Sequence, residues 1–113
     1  MAIQKWSDNI TVVELGEDPQ FTEDMLTLMD GLAEKSSDVV LNFSTVGFVN
    51  SSDISKLLRL RKVLINARRR LILCGVGAQV WGVFLVTGLD KIFEFINDIP
   101  TALATLQMAQ QKS

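Results

Sequence analysis

Histidine and tyrosine do not occur in this sequence, and cysteine occurs once. The lack of histidine removes the commonest general base and metal ligand, and one cysteine cannot make up a His/Cys metal cluster or a Ser-His-Asp arrangement. No paired acid/base motif takes their place. An enzyme is therefore not expected, and no catalytic, cofactor-binding or metal-binding residue is assigned. Cys74 alone excludes an intramolecular disulfide, and the start Met1-Ala2-Ile3-Gln4-Lys5-Trp6 lacks the apolar run of a secretory leader. A reducing, cytoplasmic location is the expectation. The apolar runs stop well short of the roughly eighteen residues that a membrane-spanning helix needs, so no membrane insertion is expected. A basic excess is lacking as well: the net charge is -2, which gives no field for a nucleic-acid partner.

What is present is core-forming material. The chain has 113 residues, 48% of them hydrophobic, which suits one domain spanning 1–113 that buries about two-thirds of its unfolded surface. Its charges are unevenly placed. Glu14, Glu17, Asp18, Glu23, Asp24, Asp30 and Glu34 fall in the first third, and Lys56, Arg59, Arg61, Lys62 and Arg68 to Arg70 in the middle, predicting an electrostatically two-sided molecule.

Ile3 to Trp6 reads as a short strand, Ser7-Asp8-Asn9 as a hairpin turn and Ile10 to Leu15 as a second strand. Gly16 to Pro19 breaks it. Thr22 is positioned to cap a helix carrying Met25, Leu28, Met29 and Leu32 on one face and ending near Lys35. Val39 to Phe43 is a continuous apolar strand of the kind buried on both faces of a parallel sheet. A long helix from Ser51 or Ser52 to about Ala67 sets Ile54, Leu57, Leu58, Leu60, Leu64 and Ile65 over a broad apolar face. Arg61 falls within that face, so its head must reach an edge, a carboxylate or a partner.

Leu71 to Cys74 is another buried strand, closed by Gly75-Val76-Gly77-Ala78. A lone Gly-x-Gly without the rest of a phosphate-binding fingerprint reads as a tight strand-to-helix turn. The following helix, about Gln79 to Thr87, is apolar nearly all round, and Val80, Trp81, Val83, Phe84, Leu85 and Val86 cannot all face one sheet. Ile92 to Phe95 reads as a last strand, and Asp98-Ile99-Pro100 opens a final helix whose Gln-rich tail, after about residue 109, is expected to fray.

The alternation implies an α/β fold: a mostly parallel sheet with an N-terminal antiparallel strand pair, interspersed helices and right-handed crossovers. Ligand and partner sites in such sheets gather beyond the carboxyl ends of the strands, where Asn50-Ser51-Ser52-Asp53 and Gly75 to Ala78 both emerge, with Trp81 close by. Asn and Ser are strong N-cap residues, and Asp53 brings a negative charge that suits the helix dipole. Two serines at this helix mouth fit a structural cap, a phosphorylation site, or both.

Over nearly its whole length the sequence resembles the STAS domain family, which includes bacterial anti-sigma factor antagonists. The resemblance is carried by the Gly16-Glu17 turn, by Val39-Val40-Leu41-Asn42 leading to Phe48-Val49-Asn50-Ser51-Ser52, by Leu71 to Cys74, and by Thr87-Gly88-Leu89-Asp90-Lys91-Ile92-Phe93. It implies a single STAS-like domain. Family members typically carry Asp-Ser-Ser/Thr-Gly at the helix mouth, and a partner kinase that is also the anti-sigma factor phosphorylates the serine after the Asp. Ser51 is the matching position, with Ser52 the second choice.

Asn50 stands where the family has Asp, Asp53 where it has Gly, and Arg68 and Arg69 where glycines usually follow the helix. Asn50 keeps the capping geometry, Asp53 adds a charge within a turn of Ser51, and the arginines should stiffen their turn and leave a basic knob. The resemblance implies a regulatory protein-binding module. Its docking face would comprise Asn50, Ser51, Ser52, Asp53, Lys56, Trp81 and Leu85, and its partner would be a kinase-type anti-sigma factor or another ATPase. Self-association into a homo-oligomer is a further expectation. The alternative is a STAS scaffold or accessory subunit of an ATPase, transporter or stressosome-like complex, without phosphorylation.

Overall fold

The computed structural model describes residues 3–111. Its strands β1 (Ile3–Ser7), β2 (Ile10–Glu14), β3 (Asp38–Asn42), β4 (Leu71–Cys74) and β5 (Glu94–Ile96) lie side by side in chain order. β1 pairs antiparallel with β2, and every later pair is parallel. The helices are α1 (Gln20–Glu34), α2 (Ser51–Asn66), α3 (Ala78–Thr87) and α4 (Ile99–Gln111).

The layering follows from topology. Three crossovers moving in one direction across the sheet carry α1, α2 and α3, which all pack on the same face, as crossovers of one hand require. Their Phe21, Met25, Leu57, Leu60, Val80 and Phe84 pack there on Val13, Val39, Leu41 and Leu73. α4 folds over the other face, where Ala102 and Leu106 cover Ile10, Val12, Val40, Ile72 and Cys74. The period-2 alternation of each strand divides its residues between these two cores, so β3 and β4 are buried on both faces as their sequences predict.

Several boundaries differ from the sequence reading. Pro19, not Thr22, stands at the α1 N-cap and supplies no side-chain bond, while the Thr22 hydroxyl lies inside the first turn and donates to Asp18 Oδ1 at 2.8 Å. Residues Leu89–Lys91 form a 3-10 turn, and the Phe93 amide donates to the Leu89 carbonyl. Phe93 is therefore buried beneath α3 rather than starting a strand, and β5 begins at Glu94. Leu58 and Ile65, expected within the apolar face of α2, are exposed, because the contact is filled by Leu57, Leu60 and Leu64 with Ile54 packed beside them. Arg61, half-buried, lines a shallow cleft with Ile65 and Ile92.

The tail is better held than expected. α4 runs to Gln111, and Gln110 Nε2 donates to Asp38 Oδ2 at 2.9 Å, while Asp38 Oδ1 accepts from the Arg70 amide at 2.8 Å. The last two residues of the expected frayed tail lie outside the described residues. The basic knob is likewise reduced. Arg69 donates to the Ser36 hydroxyl and carbonyl at 3.4 Å each, and Arg70 pairs with Glu94, leaving Arg68 as the exposed arginine of the three.

Candidate functional site

The site is built where β3 hands over to α2. Phe43 to Val49 form a loop clamped onto the β2–α1 connection by Thr45, whose hydroxyl donates to the Leu15 carbonyl at 2.8 Å, and by Glu17, whose Oε1 accepts from the Gly47 amide at 2.6 Å. Asn42 Oδ1 holds the loop start through the Ser44 amide at 3.0 Å. Gly75, at φ +68°, fits against it: a Cβ there would lie 3.0 Å from Asn42 Oδ1 and 3.3 Å from the Ser44 amide nitrogen. The loops after β3 and β4 are thereby neighbours, as the sequence implied.

At the mouth of α2 the cap belongs to Asn50 and Asp53. Asn50 Oδ1 accepts from the Asp53 amide at 2.8 Å, and Asp53 Oδ2 accepts from the Asn50 amide at 3.1 Å, a reciprocal capping box. Asp53 is only 3% exposed. It was grouped with the docking residues, but its carboxylate is turned into the protein, with Oδ1 buried and without a hydrogen-bond partner. Burial raises its pKa above the ordinary aspartate value, and the neighbouring Asp18 acts in the same direction. Asp18 is held below that value, chiefly by the Thr22 hydroxyl.

With the cap supplied by Asn50 and Asp53, the two serine hydroxyls are not needed for it. Ser51 and Ser52 are exposed, and Ser52 Oγ accepts from Lys56 Nζ at 2.7 Å one turn along. The Ser51 hydroxyl takes no part in the cap. It sits at the positive end of a sixteen-residue helix, where an added anion meets favourable backbone dipoles.

Trp81 and Leu85 are on α3. Trp81 is 36% exposed and packs edge-on against Phe95 of β5, with ring centroids 4.9 Å apart. The ring thus leans toward β5, while Asp53 faces the β2–α1 turn on the other side of the site. Leu85 is half-exposed and Val86 is 89% exposed, so α3 keeps the uncovered apolar surface its sequence announced. The sequence reading missed Phe48, which is 65% exposed on the loop leading to Asn50. Only its position two residues before the cap signals a site. It also missed Asp18, whose contact with Asp53 depends on chain folding.

Residues 4–102 match the STAS domain family. The chain belongs to the STAS domain family. Among curated proteins no sequence matches it. Solved structures repeat the fold at low identity. A protein described as an anti-sigma factor antagonist of Thermotoga maritima has a TM-score of 0.82 at 16% identity, covering 93% of this chain and 92% of its own. A variant of RsbS from Moorella thermoacetica has a TM-score of 0.82 at 18% identity over 96% of each chain. The Bacillus cell fate determinant SpoIIAA, solved in its phosphorylated form, has a TM-score of 0.75 at 16% identity, covering 92% of this chain and 96% of that one. Among the described residues of this STAS domain no helix is long and apolar enough to cross a membrane.

Proposed function

We propose that this STAS domain is a regulatory docking module controlled at Ser51. Unmodified, the start of α2 and the Phe48 loop would receive a kinase-type anti-sigma factor or a related ATPase, and phosphate on Ser51 would weaken that contact. The single observation that carries the reading is the division of labour at the helix mouth: Asn50 and Asp53 hold the cap, and the Ser51 hydroxyl is left exposed. A phosphoserine adds about -1.5 to -2 charges, which the α2 amides favour and which a partner surface must desolvate. Asp53 supplies an acidic group two residues from Ser51, so the step between the two states is smaller than with glycine there. That one structural neighbour was solved phosphorylated fits this scheme.

A second reading has its own support in the uncovered α3 surface of Trp81, Leu85 and Val86. It makes the domain a scaffold within a larger assembly, and one similar fold comes from a stressosome architecture. Intact-mass and peptide mapping of the protein purified with its partner from native cells separate the two. The switch requires phosphate on Ser51; a stoichiometric complex that never carries it, and that is broken by Leu85→Asp, supports the scaffold instead.

A further inference from the structure

The crossover from β2 to β3 draws α1 over that part of the sheet and leaves β1, outside it, without a helix above among the described residues. Ile3 pairs with Val13 and Lys5 with Thr11, so both β1 residues share the α1 face of the sheet. Between this strip and α1 lies a cavity of about 390 Å³, a size that holds a small organic ligand. Ile3, Leu28 and Leu32 give it an apolar middle.

Its two ends differ in charge. Asp24 lines the cavity toward the start of α1 and is 7% exposed; its Oδ1 accepts from Gln20 Nε2 at 2.8 Å, while Oδ2 is buried with no hydrogen-bond partner. With one carboxylate oxygen bonded only to Gln20 and the other sealed in without a donor, the charge of Asp24 is left largely uncompensated and favours a cationic group at this end of the cavity. Lys35 lines the cavity eleven residues further on, about 16 Å along the helix axis. Lys5 lies at that same end, because its partner Thr11 bonds through its hydroxyl at 2.7 Å to Ser37, just beyond α1. Lys35 also stands 3.8 Å from the exposed Asp8 carboxylate, a screened contact that an incoming anion can replace. Gly31 sits in the wall between the ends, and a Cβ there would meet nothing within 4 Å. Glycine in a helix interior is unfavourable by itself, and here it keeps the cavity open.

We propose that this cavity binds a small bipolar molecule, with an ammonium at the Asp24 end, an apolar body against Leu28 and Leu32, and a carboxylate at the Lys5–Lys35 end. The site is separate from the α2 mouth and does not depend on Ser51. The test is an NMR titration of the whole chain with ω-aminooctanoate, beside octylamine and octanoate as its two halves. The expected result is saturable shifts confined to β1 and α1, with each half binding about tenfold or more weakly than the bipolar compound. Asp24→Asn should weaken binding by a similar factor. Gly31→Leu should abolish it while the melting temperature holds or rises, since leucine is the better helix former. The proposal is overturned if ω-aminooctanoate gives no saturable shift at millimolar concentration, if either half binds as well, or if binding survives Asp24→Asn or Gly31→Leu.

Discussion

Asn50 and Asp53 hold each other's backbone: each side chain accepts the other's amide, at 2.8 Å and 3.1 Å. The pair replaces the family's Asp and Gly together, and only together do they close the capping box. Asn50→Ala should therefore lower stability by about 1 kcal/mol, whereas Ser51→Ala should change it by less than about 0.5 kcal/mol. Urea denaturation of both variants checks this. A serine variant as destabilised as the asparagine variant would return Ser51 to a capping role.

Asp53 also sets a pH dependence. Its folded pKa lies above the ordinary 3.8, so between the two values the folded chain holds a proton that the unfolded chain has released. Its stabilising contribution is complete below the unfolded value and is lost as pH rises through the folded one. Asp18 and Asp98 are shifted down and act in the opposite sense. Asp53→Asn keeps an acceptor for the Asn50 amide and removes the titration. The variant should gain stability relative to the parent as pH rises from the acid side toward neutrality. Parallel melting-temperature profiles would contradict the assigned burial.

What could be read ahead of the structure was whatever a local pattern encodes. β3 and β4 announce themselves as unbroken apolar runs, and the strong cap at Asn50 announces the start of α2. Asp53 was legible as a charge at a helix mouth but not as a buried one, since its environment includes Asp18, thirty-five positions earlier. Arg69 and Arg70 look like a solvated run because their partners Ser36 and Glu94 are distant in sequence. Ile92 to Phe95 is apolar enough to read as a strand, yet the Ile92 and Phe93 amides both donate to the Leu89 carbonyl and take the chain into a turn first.

Arg68 occupies a left-handed conformation at φ 60°, just past the end of α2, where the family usually has glycine. A side chain there costs roughly 1 kcal/mol or more. Arg68→Gly should raise stability by about 1 kcal/mol, because its guanidinium is exposed and, unlike those of its neighbours, is not what ties the turn down. Thermal melting measures it, and a destabilised variant would show that Arg68 makes a contact the fold depends on.

Cys74 is buried in the α4 face of the sheet, its thiol donates to the Asp98 carbonyl, and desolvation pushes its pKa up to about 11. The thiolate is the reactive form. Native protein at mildly alkaline pH should react with an aromatic disulfide reagent only at the rate of opening, and fast labelling would mean that α4 detaches readily.

The central claim is that charge at Ser51, and not merely near it, controls docking. The direct measurement is the affinity of a co-purified partner for the unmodified chain, Ser51→Glu and Ser52→Glu under one salt condition. The account predicts about tenfold or greater weakening for Ser51→Glu, a smaller change for Ser52→Glu beside Lys56, and unchanged folding of both. Equal affinity of all three proteins would contradict it.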